Sequence, residues 1–417
     1  MIDRNTIKSV LYDQQLLYAN KKDVARDNVP DFSTDNEIVV LSGIRRCGKS
    51  TLLNYLRNTS PEKDYFINFD DDRLINFTIR DFQVLYEVFL ELFGEQKTFF
   101  FDEIQNIEGW ERFVRRLHDK GNKVYITGSN ASMLSKELGT RLTGRYIQYE
   151  LFPFSFNEFL KFEKIDVEEK DFFTTEGKAL IKRKFNEYFL HGGFPGYLKS
   201  KNRDYLKSLY ESILYRDVMV RNKLTNEKEI MELVLFLASN PAKLASYNSL
   251  KSVIGVQNAT TVKNYLEYLQ NTYLLFLVNK YDTSLKKQLQ NPKKVYFIDT
   301  GLIRRIGFQT EEDNGRLLEN LVYVELRRRA KQIYYHKQKY ECDFLIKTKT
   351  KITEAIQVTW SMFSEETKNR EIAGLLEAME LHKLKKGLIL TEAEEDEIIL
   401  RQKTITVMPV WKWLLKK

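Results

Sequence analysis

The sequence predicts an α/β protein built on a parallel sheet flanked by helices, continued by a mainly helical middle and a small C-terminal α/β region. Three observations carry this reading. A short apolar run, Glu37-Ile-Val-Val-Leu-Ser42, passes through a glycine-containing loop into a helical pattern. A second run, Lys97-Thr-Phe-Phe-Phe101, ends in the adjacent acids Asp102 and Glu103. Beyond these, pattern breaks divide a chain whose 417 residues exceed what one hydrophobic core usually organises.

Composition narrows the class. With 43% hydrophobic and 30% charged residues the chain is ordinary globular protein, neither a disordered tail nor a fibre. Met1 to Asn20 mixes Asp3, Arg4, Lys8 and Asp13 among its apolar residues, so no secretory leader is expected. No apolar run approaches the ~18 residues of a membrane helix, and the expectation is a cytoplasmic protein with no membrane partner. Cys47 and Cys342 stand far apart, and His118, His191, His336 and His382 are scattered. Neither a disulfide scaffold nor a zinc site follows from such spacing.

The glycine-containing loop reads Gly43-Ile44-Arg45-Arg46-Cys47-Gly48-Lys49-Ser50-Thr51, and Leu52-Leu-Asn-Tyr-Leu-Arg57 continues it with helical spacing. This is G-x-x-x-x-G-K-[ST] in its required strand–loop–helix setting, a match that average residue frequencies give in about one chain in a hundred of this length. Its glycines let backbone N–H groups turn inward around phosphates at a helix N-terminus. Lys49 would reach the β- and γ-phosphates of ATP, and the Ser50 hydroxyl would ligate Mg2+. Cys47, inside the loop, could make it sensitive to thiol oxidation or simply fit there.

The strand ending at Asp102-Glu103 places two acids at a sheet's C-terminal edge, where open α/β sheets bind ligands. Asp102 would hold Mg2+ and Glu103 would polarise the attacking water. A further strand, Lys123-Val-Tyr-Ile-Thr-Gly128, runs into Ser129 and Asn130, which could bond the γ-phosphate or cap a helix. Arg141 and Arg145 are candidate donors of positive charge to the transition state, from this chain or a neighbouring subunit, with plain salt bridges as the alternative.

These segments, with Thr143-Gly-Arg-Tyr146, Leu151-Phe-Pro-Phe-Ser-Phe156, His191-Gly-Gly-Phe-Pro195 and Tyr215-Arg-Asp217, resemble prokaryotic AAA-type ATP-binding proteins over nearly the whole chain. The resemblance implies an α/β P-loop ATPase with Walker A and B elements at the two segments above and a sensor strand at Thr127-Gly-Ser-Asn130. The organisation expected is an ATPase domain over 1–160 with a helix at 5–25, a helical lid or connector over 161–225, a winged-helix-like domain over 226–306 and a restriction-endonuclease-like α/β domain over 307–417.

Residues 226–306 support the third of these directly. Ser249–Ile254 and Ala259–Leu269 read as two short helices around a turn containing Gly255, followed by strands at Leu274–Val278 and Lys294–Ile298. From Tyr197 to Gly307 there are 18 Lys or Arg against 9 Asp or Glu, so the positive surplus of this +8 chain sits here and invites an anionic partner. For a DNA partner, Gln257, Asn258, Thr260, Thr261 and Lys263 would face a groove, and Lys286, Lys287, Lys293 and Lys294 would touch phosphates. A protein-docking module is the alternative.

In the last region the resemblance implies a metal-dependent nuclease site of a helix acid, a second-strand Asp and a third-strand Glu-x-Lys. Glu319 and Asp343 match the first two, but the third reads Gln357-Val-Thr359 and lacks the lysine. A degenerate nuclease site is therefore expected. The functional expectation is an ATP- and Mg2+-dependent ATPase that switches how DNA or a protein is engaged. An ATP-regulated nuclease and a purely protein-binding ATPase are the alternatives, and an oligomer is compatible with either.

Overall fold

The computed structural model describes residues 2–18, 24–32, 36–128, 142–202, 204–308 and 313–416. The chain forms two compact units, one of Met1–Phe152 with Asn271–Tyr273, the other of Pro153–Gln270 with Leu274–Lys417.

The first unit is organised by five parallel strands: β1 (Ile38–Gly43), β2 (Phe66–Asn68), β3 (Thr98–Asp102), β4 (Lys123–Gly128) and β5 (Tyr146–Leu151), in the order β2-β3-β4-β1-β5. Every residue of β1 is buried, as expected of a strand covered on both faces. Around it lie α1 (Arg4–Tyr18), α2 (Lys49–Thr59), α3 (Asp81–Phe93) and α4 (Trp110–Asp119). The core is rich in aromatics, with Phe82 stacked on Phe113 at 4.5 Å between ring centroids and Tyr65 on Phe89 at 4.7 Å. Helix α4 turns Trp110, Phe113, Val114 and Leu117 into this core, the stripe that a 3.6-residue period produces. The first helix is described over Arg4–Tyr18, and residues 24–26 are not helical, so it does not run on to residue 25. Its buried face is Ile7, Val10, Leu11 and Gln14, and the apolar period stops there.

The second unit begins with the helix Phe156–Phe162, opened by a Ser155/Glu158 capping box, and the helix Thr175–His191. The Gly192-Gly193 turn follows. A side chain at Gly193 would meet the Phe154 carbonyl at 2.2 Å, and the Gly193 N–H donates to Asp299 Oδ2 at 2.7 Å. The His191–Pro195 segment is thus accounted for by packing, since its glycines let it lie against Phe154 and Asp299.

Helices Glu227–Ala238, Tyr247–Val253 and Ala259–Asn271 follow, with a three-stranded antiparallel sheet of β6 (Leu244–Ala245), β7 (Leu275–Val278) and β8 (Lys293–Phe297) in the order β6-β8-β7. The C-terminal part places the helix Asn314–Arg328 before an antiparallel run of β9 (Gln332–Lys337), β10 (Glu341–Thr348) and β11 (Lys351–Val358). The helix Glu365–Leu381 then leads to β12 (Lys386–Thr391), parallel to β11, with β13 (Asp396–Leu400) and β14 (Lys403–Pro409) completing a six-stranded sheet. Leu345, Ala355, Leu375, Met379 and Ile389 build the core between this sheet and its helix.

Candidate functional site

Strand β1 delivers the chain into the loop Gly43–Gly48, and α2 starts at Lys49. Two positions of the loop require glycine. Gly43 has φ +142° and a Cβ there would stand 2.1 Å from the Leu151 carbonyl of β5, while Gly48 has φ +107°. Among the described residues no side chain caps α2 at Gly48, and no acid lies in its first turn, so its leading N–H groups and their positive potential face the loop. Lys49 is buried and its Nζ donates to the Gly43 and Ile44 carbonyls at 3.1 Å each. Ile44 and Cys47 are wholly buried, Arg46 takes a left-handed backbone at φ 65°, and Arg45 and Thr51 complete the loop and the first turn. Burial pushes the Cys47 thiol up, so the loop holds no reactive thiolate.

Asp102 ends β3, separated from β1 by β4, and all three loop or strand ends meet at one sheet edge. Its Oδ1 accepts from Ser50 Oγ at 3.1 Å and from Thr127 Oγ1 at 2.6 Å. Its Oδ2 is buried with no hydrogen-bond partner among the described residues. Burial, and then the charge of Glu103, push the Asp102 carboxyl up to about 6. A buried carboxylate oxygen left without a donor beside a serine hydroxyl fits a Mg2+ ion, which takes hard oxygen ligands. Ser50 and Asp102 are the residues that would hold it.

Glu103 stands next to it in a left-handed conformation at φ 53°. Its N–H donates to Thr127 Oγ1 at 2.9 Å, and its Oε2 accepts from Gln105 Nε2 at 2.5 Å. Thr127 therefore fixes both acids at once. Sequence reading passed over it for Ser129 and Asn130, though its place at the C-terminal end of a strand neighbouring β3 was the available signal. Arg26 was also missed: its guanidinium donates to the Cys47 carbonyl and lies against Gly48. A cavity of about 420 Å³ opens beside α2, lined by Val24, Arg26, Pro30, Phe32, Thr51 and Tyr55 among others.

Asn130 and Arg141 lie outside the described residues. For Arg145 the salt-bridge alternative is the one its place in the chain supports. Arg145 precedes β5, whose Tyr146 pairs with Ile38 while Leu151 pairs with Gly43, so it sits at the opposite end of the sheet from the loop. Six residues of strand put it roughly 20 Å away, and its Nε is 3.1 Å from Asp119 Oδ1. Within one chain it serves a salt bridge and does not complete the site.

In the second unit, Gln257, Asn258, Thr260, Lys263, Lys286 and Lys287 are exposed and Thr261 is half-buried. Lys293 and Lys294 are not available to phosphates. Lys293 is buried with its Nζ on the Gln288 and Leu289 carbonyls, and Lys294 is buried among acids. As neighbours on β8 they point to opposite faces, and both are buried because the strand is covered on both sides. Lys294 Nζ lies 2.9 Å from Glu319 and 2.8 Å from Asp343, so these two predicted residues do come together. Gln357 stands behind them, its Oε1 accepting from the Asp343 N–H at 3.2 Å and its Nε2 donating to Glu371 at 2.5 Å. Its amide is spent on those partners and is not offered to a metal.

A phosphate-type loop leading from β1 and a buried carboxylate ending β3, on a sheet ordered β2-β3-β4-β1-β5, define a P-loop ATPase of the AAA type. Family models agree: residues 35–160 match an AAA domain, 182–312 a domain of unknown function (DUF8612), and 314–413 another domain of unknown function (DUF4143). The chain is 34% identical over 435 residues to "Uncharacterized protein MJ1544" of Methanocaldococcus jannaschii, covering 100% of this chain and 96% of that protein. It is 30% identical over 346 residues to an uncharacterized protein of Haemophilus influenzae, covering 78% and 84%. The chain belongs to the family of these two proteins. Among solved structures, a point mutant of Thermotoga maritima RuvB gives a TM-score of 0.27 at 13% identity over 66% of this chain and 90% of that one. The same organism's RuvB, described as a Holliday junction branch migration motor, gives 0.23 at 14% over 66% and 89%. Likenesses at that level carry no argument about function. No helix among the described residues is long and apolar enough to cross a membrane.

Proposed function

We propose that the protein hydrolyses ATP at this loop with Mg2+ and uses the nucleotide state to switch how its second unit engages a partner. The observation that carries the reading is the chain Ser50–Asp102–Thr127 beside the P-loop, with Asp102 Oδ2 left without a donor among the described residues. The backbone N–H groups of residues 44–51 and the Lys49 ammonium would hold the phosphates. Bound Mg2+ would supply charge neutralisation of the β- and γ-phosphates. Glu103 would accept a proton from water as its oxygen forms the new bond to the γ-phosphorus and the bond to the β-bridging oxygen breaks, giving ADP and phosphate. Thr127 holds Asp102 and the Glu103 backbone in place throughout. Asn130, Arg141 and a neighbouring subunit's Arg145 remain proposed contributors to the transition state.

In the second unit, the helix pair Tyr247–Val253 and Ala259–Asn271 beside the β6-β8-β7 sheet supports a winged-helix-like reading. The Asn314–Arg328 helix followed by β9, β10 and β11 supports a restriction-endonuclease-like one. We take the partner to be DNA or a protein, reached in the cytoplasm, and favour binding over cleavage because Lys294 stands among the acids of the C-terminal centre.

The test is ATP hydrolysis by the purified chain and by Glu103→Gln, each with and without duplex DNA. Turnover that requires Mg2+ and falls by about 10²-fold or more in Glu103→Gln supports the mechanism. Stimulation by DNA identifies the partner class, and indifference to DNA points to a protein. No Mg2+-dependent turnover under any of these conditions refutes the reading.

A further inference from the structure

In the second unit three carboxylates converge on a single nitrogen. Lys294 enters from β8 with its side chain 2% exposed, and its Nζ lies 2.9 Å from Glu319 Oε1, 2.8 Å from Glu341 Oε1 and 2.8 Å from Asp343 Oδ1. The acids come from two other elements: Glu319 from the Asn314–Arg328 helix, and Glu341 and Asp343 from β10, where a two-residue spacing puts both on one face. They line a cleft of about 870 Å³.

Each carboxylate is also held by a group other than Lys294. Asp343 Oδ2 accepts from the Val358 N–H at 2.9 Å. Glu341 Oε2 lies 3.1 Å from Lys337 Nζ. Glu319 Oε1 accepts from the Tyr296 hydroxyl at 2.6 Å. The strand that brings Lys294 is fastened in turn, because Asn320 bonds the Phe297 N–H and carbonyl at 2.8 and 2.9 Å. The oxygens are therefore aimed at one point by supports that do not need the ammonium. Three carboxylates share one buried ammonium, and carboxylates buried together in this way are held by a cation.

The point they share is the right size for a smaller cation. Oxygens at 2.8 to 2.9 Å from one nitrogen need to close by only about 0.3–0.8 Å to reach the distances at which Ca2+, Mn2+ or Mg2+ is held. An all-oxygen, carboxylate-rich set selects those hard ions. Among the described residues no group of three or more His, Cys, Asp or Glu side chains could hold a metal ion, and at this point the Lys294 ammonium stands among the carboxylates.

We propose that Lys294 is a tethered counter-cation standing in the place of a divalent metal ion, so that Glu319, Glu341 and Asp343 form a divalent-cation site closed by the chain's own lysine. The native protein then takes no metal at this cleft and performs no metal-dependent hydrolysis there.

The test is Mn2+ binding by the full-length, nucleotide-free protein, read as loss of the free-ion EPR signal, with Tm measured in parallel. The wild type sets the background from all other sites. Lys294→Ala is expected to bind one Mn2+ more per chain than wild type, and Mn2+ is expected to raise its Tm more than that of wild type. The extra ion is expected to disappear in Lys294→Ala/Asp343→Asn. Lys294→Gln, which keeps the side chain's bulk without its charge, serves as the second variant. A folded Lys294→Ala or Lys294→Gln that binds no more Mn2+ than wild type overturns the proposal, as does an extra site that survives Asp343→Asn. Failure of both variants to fold even with Mn2+ present also overturns it, because a metal site would be refilled by the metal.

Discussion

Thr127→Val is the sharpest test of how the ATP site is built. The substitution keeps the shape of the side chain but deletes the 2.6 Å bond to Asp102 Oδ1 and the acceptor of the Glu103 N–H. A hydrogen bond to a charged group is worth about 1.5–3 kcal/mol, and 1.36 kcal/mol is one pH unit of carboxyl ionisation. Asp102 already titrates at about 6 in place of 3.8 because it is buried beside Glu103. Without Thr127 it should titrate about 1–2 pH units higher still. Metal binding needs the ionised form, so wild-type kcat/KM for ATP should rise with pH through about 6, and the Thr127→Val profile should rise about 1–2 units later. The sign for stability runs the other way. A carboxyl raised above its unfolded value favours the metal-free fold below about 3.8, and that contribution, about 3 kcal/mol, is lost as pH climbs through about 6. Mg2+ and nucleotide should restore it. The assays are a pH–rate profile and a thermal melt at pH 5 and pH 8, with and without Mg2+–ATP. A folded Thr127→Val whose acid limb coincides with that of wild type would refute the role given to Thr127.

Two further outcomes follow from the geometry. Gly43→Ala sets a Cβ 2.1 Å from the Leu151 carbonyl at a φ of +142°, so it should cost several kcal/mol, of order 2–4, and abolish ATP binding, read by calorimetry and a fluorescent nucleotide. Lys286→Ala/Lys287→Ala should leave ATP turnover unchanged and, where duplex DNA binds, flatten the slope of log affinity against log salt by about 2, which a binding series at several salt concentrations measures.

Legibility in the sequence followed locality. The loop Gly43–Ser50 was readable because its chemistry is written in eight successive residues between a strand and a helix. Asp102 and Glu103 were readable because an apolar run ended on them. Thr127 was not singled out because its importance depends on β4 lying between β1 and β3, an order that no local pattern states. The place of Arg145 depends on the same kind of order. A basic residue shortly after a sensor-like strand looks close to the phosphates until the parallel register sends it to the far end of β5. No proline or glycine between Tyr18 and Val24 marks a stop for the first helix short of residue 25.

The basic middle region teaches the same point about charge. Counting 18 cations against 9 anions between Tyr197 and Gly307 treats every lysine as surface. Lys293 is taken up by the Gln288 and Leu289 carbonyls, and Lys294 answers carboxylates that lie beyond the counted segment. Arg304 lies over the Phe189 ring at 5.2 Å, with burial lowering its pKa. The cleft beside Asp343 repeats the pattern, since Arg316 pairs with Asp313, Lys337 with Glu341 and Arg370 with Glu371. Its basic residues are largely answered by acids within the same wall, so its outward field is weaker than its lysines and arginines suggest. Of the lysines expected to meet an anionic partner, Lys263, Lys286 and Lys287 are exposed and Lys293 and Lys294 are not. A positive surplus read from sequence points to a partner only after the cations spent on the protein's own carboxylates and carbonyls have been set aside.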